Sequence, residues 1–517
     1  MEALDKDLRR NIEIHNSKRP IFRLPDELLV QILEIAANDE QTLYQHIWSQ
    51  PRFPFDIGPP DTADAFQSMN LVCRKIRSIA LQSPRCWTNL LVGITNGDPN
   101  QHRDTYPSLE ILGSLLSRSK SRLVNIIVYV LADLDEEERS IESFNPSNLL
   151  KAAAVIRPHL KRCRGISLIV HSDVGVRRIS QHLREDAQWG SACVSLEQVM
   201  FYDPGSYARN TSWAVEPFWN RSSGQCDIKS LRIEGFTRFG RDVTIHSQLA
   251  GPGLRSLQMN SGLQNPALCS LLQQCPNLLH LHVRQAVARD LDSLIPLPEM
   301  RSLQSLTLQG DALFLFDPSH IAPSCERLIL DDLSVPGSGY SIEMFRENSP
   351  TLYKLKVCQL YHLPDFDPMI RWLQRHVSIE QLAFTRPTPG PWGRRVESKM
   401  LSIILEKFIS AHETEESFLP NLNYLAYELR EEDELASVHA RVDLVIDLIT
   451  QLLSSCPSLR FRLFIRPRAS GIRVEDGLGG LDALVDRLLE AGKQTKRFKV
   501  TTGKMVFLQE MNWDSLP

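Results

Sequence analysis

Apolar residues recur along this chain in one short pattern, apolar-x-x-apolar-x-apolar, which is typical of a strand that buries one face. The pattern occurs nine times, beginning at Leu196, Ile228, Leu254, Leu278, Leu303, Cys325, Leu352, Ile379 and Leu422. From Ile228 to Ile379 successive copies begin 22 to 27 residues apart. The gaps outside that region are longer, which indicates insertions or degenerate units, and a weaker copy lies near Leu459 and Phe464.

This spacing favours a solenoid over a doubly wound sheet. Leucine-rich repeats run about 20–29 residues, whereas a doubly wound βα unit needs about 30 or more. Helix-like segments such as 266–274 and 448–453 lie between strands, and Cys275-Pro276 and Cys456-Pro457 follow them. One repeat cannot bury its own apolar edge, but stacked repeats share a core. We therefore predict an α/β fold, an irregular horseshoe with a parallel inner sheet.

Runs rich in β-branched residues predict further strands before the regular repeats, at 90–92, 126–130 and 166–170.

The N-terminal ninety residues have helical periodicity instead. Residues 1–19 contain Leu4, Leu8 and Ile12 at spacings of four, which predicts a short amphipathic helix. Residues 24–33 then read LPDELLVQIL. Pro25 suits the first helical position, and four apolar residues form one stripe on the predicted helix: Leu28, Leu29, Ile32 and Leu33.

A second helix is predicted after a proline-bearing insertion of roughly residues 38–63. It begins near Asp61 or Thr62, both of which are good N-caps. Its apolar face steps by three or four residues through Phe66, Met69, Cys73, Ile76 and Ala80. Ser83-Pro84 ends it, and Trp87 follows.

The order LPDELLVQIL, then LVCR at 71–74, then Trp87, resembles the F-box motif over residues 20–90. The insertion is similar to those of fungal F-box proteins, while Ile76 stands where many F-boxes carry Trp. The resemblance implies docking onto a Skp-family adaptor, which links to a cullin ligase and a ubiquitin-conjugating enzyme. It assigns that contact to Leu24, Pro25, Leu28, Leu29, Ile32, Leu71, Val72 and Ile76.

A plainer interpretation of the same helices is a cap that seals the end of the following domain. Two or three short helices cannot bury all of their apolar faces alone. We expect part of the stripe to pack inward and the remainder to dock in a groove of another helical protein.

The positions between the repeat leucines are predicted to face the inner side of the sheet. They are Ser230, Arg232, Ser256, Gln258, His280, His282, Ser305, Thr307, Arg327, Lys354, Lys356, Gln381 and Tyr424, with no Asp or Glu among them. The set is either an ordinary solvated face or a basic surface that binds an acidic or phosphorylated segment. For the second case the candidate substrate-binding residues are Arg232, His280, His282, Arg327, Lys354, Lys356 and Tyr424.

Composition argues against several classes of protein. The chain has 517 residues, a net charge of −4 and a pI near 6.4, which disfavours nucleic-acid binding. Its ten cysteines include no CxxC pair, which argues against a zinc site and a disulfide scaffold and favours the cytoplasm or nucleus. We expect no membrane segment, because no apolar run reaches about 18 residues, and no secretory signal.

Catalytic signatures are lacking as well. The sequence contains neither GxGxxG nor GxxxxGK[ST], and His280 and His282 have no HExxH context. We therefore expect no cofactor, no metal site and no enzymatic activity.

These observations predict three segments: residues 1–19, an F-box-like motif at 20–90 and a repeat domain at 91–517. The expected function is a substrate-recognition adaptor of a Skp-cullin-F-box ubiquitin ligase, whose repeats bind a target protein. The alternative is an interaction scaffold of the same construction with no role in ubiquitin transfer.

Overall fold

The computed structural model describes residues 24–38, 74–95, 105–131, 147–170, 195–203, 228–235, 251–260, 263–283, 286–287, 298–309, 322–331, 352–361, 366–385, 400–413, 419–429, 442–465, 487–488, 490–491 and 497–502. The chain folds as two compact units, Met1–Leu263 and Gln264–Pro517. Residues 1–19, the insertion and the pair Leu71 and Val72 lie outside the described residues. The three-segment division of the sequence stays a prediction.

The first unit combines short helices with an open sheet. Its described helices are α1 (Asp26–Asn38), α2 (Arg74–Gln82), α3 (Leu109–Arg118) and α4 (Ser147–Ile156), with 3-10 helices at Pro84–Trp87 and Arg157–Arg162. Its strands are β1 (Asn89–Thr95), β2 (Thr105–Tyr106), β3 (Val124–Leu131), β4 (Cys163–Val170), β5 (Gln198–Asp203), β6 (Ser230–Gly235) and β7 (Ser256–Asn260). They lie in the order β7-β6-β5-β4-β3-β1-β2, and β2 pairs antiparallel to β1.

The second unit repeats one strand many times. After the two-residue strand β8 (Leu263–Gln264) its sheet contains β9 (His280–Val283), β11 (Ser305–Gln309), β12 (Arg327–Asp331), β13 (Val357–Tyr361), β14 (Gln381–Thr385), β15 (Tyr424–Leu429), β16 (Arg460–Ile465) and β17 (Phe498–Thr502). The short β10 (Ala286–Val287) lies outside this sheet. The described helices are α5 (Asn265–Gln273), α6 (Phe366–Gln374), α7 (Met400–Glu413) and α8 (Val442–Ser455).

The predicted α/β class with parallel strands is confirmed. Within the described residues, six strands of the first unit and eight of the second run parallel to their neighbours, and the strand order does not close on itself. Parallel strands need a crossover connection, and between several neighbouring pairs a described helix forms part of it, such as α6 between β13 and β14. The predicted strands at 90–92, 126–130 and 166–170 fall within β1, β3 and β4.

The repeated apolar residues of the second unit share one side of the sheet, which we name the leucine face. Register pairs join its central row across six neighbouring strands, and each member is at most 2% exposed: Leu281, Leu306, Leu328, Cys358, Leu382 and Leu425. The residues between them form the opposite side, which we name the alternate face.

A recurring turn precedes β9 and each strand from β11 to β16. The first leucine of a repeat donates its backbone N–H to the carbonyl three residues earlier, as in Leu303 to Met300 at 3.0 Å and Leu459 to Cys456 at 3.0 Å. The accepting residue is buried in front of all seven of these strands: Cys275, Met300, Ala322, Leu352, His376, Leu419 and Cys456. Each repeat therefore has one more buried position than the six-residue template includes, three residues before the first apolar residue of the template.

That extra position explains one wrong prediction. The repeat assigned to Leu352 begins three residues later, because Leu352 is the buried turn residue and its carbonyl accepts from Leu355. Register pairs put Cys358 opposite Leu328 and Leu360 opposite Leu330. The alternative Leu352/Leu355/Val357 also satisfies the template, so the sequence alone favoured it.

The shift moves two candidate residues off the alternate face. Lys354 lies in the turn and Lys356 immediately precedes β13, and both side chains are exposed. Val357 occupies the alternate-face position, opposite Arg327 and Gln381. The prediction that Lys354 and Lys356 face the inner side of the sheet is therefore wrong.

The last two strands extend the sheet beyond the predicted repeats. In β16 the leucine face is supplied by Phe461 and Leu463, which pair with Leu425 and Tyr427. Phe464, predicted as part of the weak copy, lies on the alternate face instead. Strand β17 was not predicted, and it continues the leucine face with Phe498 and Val500.

Four turn or strand positions of the second unit hold buried thiols, at Cys275, Cys325, Cys358 and Cys456. Burial raises the pKa of Cys325 to about 12. Burial also raises the pKa of Cys358 and, less strongly, that of Cys456. These thiols act as small apolar side chains in the repeat core.

One turn position holds a histidine that joins two repeats. The Nε2 atom of His376 accepts a hydrogen bond from the backbone N–H of Leu352 at 3.1 Å. Its Nδ1 atom lies 2.7 Å from the carbonyl oxygen of Trp372, to which it donates. Both bonds require the neutral ring, and burial lowers the pKa of His376 to about 4.

Replacing a central leucine of the sheet should cost much of the stability of the second unit. We expect Leu306→Ala to lower the free energy of unfolding by roughly 2–5 kcal/mol, because the side chain is fully buried and leaves a cavity. Chemical denaturation measures the change. Gln304→Ala, at an exposed position before the same strand, is the control and should change stability by less than about 0.5 kcal/mol. A loss below about 1 kcal/mol for Leu306→Ala would contradict the assigned register.

The buried His376 should make stability fall in acid. Its folded pKa is depressed to about 4, so between roughly pH 6.5 and pH 4 the unfolded chain binds a proton that the folded chain does not. Stability is therefore lost as pH falls through this range, by up to about 1.4 kcal/mol for each unit of the shift. Denaturation curves at pH 7 and pH 5 measure it.

We expect His376→Leu to be less stable at neutral pH, because the Leu352 N–H loses its acceptor, and to lose less further stability on acidification than the wild type. Leu306→Ala, destabilised for another reason, should keep the wild-type dependence on pH. Equal pH dependence in wild type and His376→Leu would show that this ring does not titrate as proposed.

Candidate functional site

The N-terminal helices pack on each other through a small apolar core. Its buried members come from α1, α2 and the 3-10 helix that follows: Leu29, Leu33, Ile76, Ile79, Ala80, Cys86 and Trp87. Leu115 of α3 packs against this core, and the Arg118 guanidinium lies 5.2 Å from the centre of the Trp87 ring. The two helices are therefore fixed to the part of the first unit that begins the sheet.

Polar contacts hold the same arrangement. The Trp87 indole N–H donates to the Ala80 carbonyl at 2.8 Å, and the Ser83 hydroxyl donates to the Glu34 carboxylate at 2.7 Å. Lys75 of α2 and Asp26 of α1 form an exposed ion pair at 2.8 Å. These contacts add polar links to the apolar packing of α1 on α2 and the following 3-10 helix.

The four-residue apolar stripe of α1 divides between two environments. Leu29 and Leu33 are 1% and 3% exposed, whereas Leu28 and Ile32 are 43% and 41% exposed. Leu28 and Ile32 lie four residues apart, so they are neighbours on one side of the helix. We name them the exposed α1 pair.

The residues predicted to contact an adaptor therefore differ in availability. Pro25 is exposed and directly precedes α1, whereas the sequence predicted it as the first residue of the helix. Its carbonyl oxygen accepts hydrogen bonds from the backbone N–H groups of Leu28 and Leu29. Leu24 is half-buried against the apolar core. Leu29 and Ile76 are interior, so they shape the surface rather than form it. Leu71 and Val72 lie outside the described residues.

On the alternate face of the second unit, β9, β11 and β12 bring three of the predicted residues together. His280, Ser305 and Arg327 pair in register across these strands. Partial loss of hydration lowers the pKa of His280, and the charge of Arg327 lowers it further. His282 follows on the same face, opposite Thr307. This end of the face combines a permanent cation with two imidazoles and two hydroxyls.

The other end of the alternate face, on β14 to β16, is buried rather than solvated. Ala383, Tyr424, Ala426 and Phe464 form an apolar cluster, with Val357 packed against it. Tyr424, a predicted substrate-binding residue, is 8% exposed, and burial raises its pKa to about 12. Its hydroxyl therefore stays protonated and remains a hydrogen-bond donor at neutral pH.

Arg232 belongs to the first unit. It lies on β6, opposite Met200 and Gln258 in the neighbouring strands. Its side chain is half-buried. The structure thus groups His280, His282 and Arg327, and it separates Lys354 and Lys356 from them.

Sequence reasoning missed Arg462 on β16, which has the most buried cationic side chain among the described strands. Arg462 and Glu428 are 1% and 0% exposed, and Lys499 pairs with Arg462 in register. The strict alternation RFRLF at 460–464 was the available signal, because it predicts a strand with arginines on one side. The weak match to the leucine template concealed it.

No protein-family model matches the chain, and no curated protein matches it either. Among the described residues, no helix has both the length and the apolar character needed to cross a membrane. The same part of the chain contains no group of three or more His, Cys, Asp or Glu side chains suited to a metal ion.

Proposed function

We propose that the chain is a substrate-recognition adaptor of a Skp-cullin-F-box type ubiquitin ligase. The observation that carries the proposal is the division of the α1 stripe, in which Leu29 and Leu33 are buried while Leu28 and Ile32 stay exposed. Isolated surface leucines are common. An apolar pair at i and i+4 on a helix that polar contacts already hold in place is suited to docking in a groove of another helical protein.

The sequence around this pair supports the same proposal. The LPDELLVQIL segment, LVCR and Trp87 occur in the order of an F-box. Trp87 stabilises this arrangement, because its ring is part of the apolar core and its indole N–H donates a hydrogen bond to a carbonyl of α2. Acidic residues in the first turn of α1 stabilise the helix through its dipole.

In this proposal the strands are leucine-rich repeats of a horseshoe that binds a target protein. The function is positional, because holding a target close to an activated ubiquitin raises the effective concentration of its lysines. No residue of this chain makes or breaks a bond. The cationic end of the alternate face, at His280, His282 and Arg327, is suited to an acidic or phosphorylated segment of that target.

Adaptor binding should depend on the exposed α1 pair. We expect Leu28→Ala with Ile32→Ala to weaken binding to a purified Skp-family protein by about 100-fold, because each side chain loses about 1.5 kcal/mol of apolar burial. Calorimetry or a pull-down measures it. The control is Leu150→Ala with Leu444→Ala, which removes equally exposed leucines from α4 and α8 and should leave binding unchanged.

Undiminished binding by the Leu28/Ile32 variant would count against the docking surface. A separate measurement distinguishes a ligase subunit from a scaffold that binds Skp alone. Only the ligase predicts that the same double substitution lengthens the lifetime of the captured target in cells.

Target capture should depend on Arg327 and not on the two lysines near β13. We expect Arg327→Glu to weaken capture of the target at least about tenfold, because a carboxylate on the alternate face repels an acidic segment. Lys354→Glu with Lys356→Glu reverses two charges at exposed positions off that face and should have little effect. Affinity purification from cells, followed by quantitative mass spectrometry, compares the variants. A larger loss of capture for the double lysine variant than for Arg327→Glu would contradict the proposal that the target binds on the alternate face.

A further inference from the structure

Arg462 is a buried cation whose hydrogen-bonding capacity is not filled. Its Nε atom donates to the Thr501 hydroxyl at 3.0 Å. The guanidinium carbon lies 4.8 Å from the centre of the Phe464 ring, which is a cation–π contact. Its Nη1 atom is buried and has no hydrogen-bond partner in the described part of the chain.

Such an arrangement is costly for a folded protein. A guanidinium taken out of water loses its hydration, and a ring face with the hydroxyls of Thr501 and Tyr424 replaces only part of that loss. Buried charges in proteins are normally paired with an opposite charge. The side chain is 1% exposed, so bulk water does not reach it in this conformation.

The groups near Arg462 are also hydrogen-bond donors. Lys499 lies directly opposite it on β17, and burial together with the charge of Arg462 lowers the pKa of Lys499. Thr501 accepts from Arg462 and still has its own hydroxyl proton to donate. The Tyr424 hydroxyl oxygen accepts a hydrogen bond from Arg462, which places a second hydroxyl beside the guanidinium.

One carboxylate lies on this part of the face and must be counted. Glu428 pairs in register with Phe464, one alternate-face position beyond Arg462, and it has an interaction partner of its own. Against it stand the charges of Arg462 and Lys499, and Arg460 adds a third at the exposed beginning of β16. Among the described residues, this part of the face therefore carries three cationic side chains and one carboxylate.

We propose that Arg462, Lys499, Thr501 and Tyr424 form a site for a single phosphate group on the alternate face of β15 to β17. The orphaned Nη1 donor of Arg462 is the centre of the site. The inference does not rest on the adaptor function, because it uses only the second unit.

A phosphate group fits these donors better than a carboxylate does. It carries a charge of about −1.5 to −2 at neutral pH and three strong acceptor oxygens. Arg462 and Lys499 match that charge, and the two hydroxyls supply further donors to a tetrahedral group. Because Arg462 is almost fully buried, a phosphate group reaches it only when the side chains that cover it move aside. Free phosphate and the phosphate of a phosphorylated side chain present the same acceptor oxygens.

The test uses the full-length protein and two probes, inorganic phosphate and an acetyl-phosphoserine amide. Thermal unfolding is recorded with each probe and with sodium chloride at equal ionic strength, and isothermal titration calorimetry gives the Kd. Serine amide is the control for the second probe. A ligand that binds only the folded state raises the Tm. Stabilisation by inorganic phosphate identifies a free anion, and stabilisation by phosphoserine amide alone identifies a phosphorylated side chain.

Variants connect either result to the site. We expect Arg462→Leu to abolish the effect and Lys499→Met to raise the Kd at least about tenfold, as is typical of a charge-assisted contact. Lys407→Met removes one charge from the exposed surface of α7 and should leave the Kd unchanged. If Arg462→Leu does not fold, Lys499→Met and Thr501→Val carry the test. Absence of binding by both probes, or equal binding by all of these variants, overturns the proposal.

Discussion

Each strand of the second unit depends on its neighbours for burial of its leucine face. A five-residue strand offers one row of apolar side chains, and only the equivalent rows of the flanking strands complete a core around it. The buried turn residue before each strand extends this dependence, since it fills the space beside the first leucine. Stability therefore arises from contacts between adjacent repeats rather than from any one repeat, and His376 makes one such contact polar.

Much of this architecture was predictable from periodicity, because burial on one face requires apolar residues at fixed intervals. The errors occurred where two registers satisfied the same template. Leu352, Leu355 and Val357 match it as well as Leu355, Cys358 and Leu360 do. Only pairing with Arg327 and Gln381 decides between them, and pairing is a property of neighbouring strands rather than of the segment itself. Strand β17 was missed because a single strand after a long connection has no periodicity to detect.

The candidate surfaces were less predictable, for a related reason. Four adjacent apolar residues on α1 looked equivalent in sequence, and the packing of α2 decided that Leu29 and Leu33 face inward. Likewise, the alternate face was predicted as a single uniform surface. Its two ends differ, since His280 is exposed while Ala383, Ala426 and Arg462 are buried. The difference depends on the side chains of adjacent strands, which the pattern of one strand does not contain.

The buried thiols of the repeats have a chemical consequence. Cysteine reacts as its thiolate, and burial raises the pKa values of Cys325, Cys358 and Cys456 while shielding their sulfur atoms. Electrophiles and peroxides reach these atoms only when a repeat opens. Because opening separates a strand from both neighbours, modification of one sulfur would prevent that repeat from closing again. Oxidative damage would then accumulate one repeat at a time, at a rate that depends on how often each repeat opens.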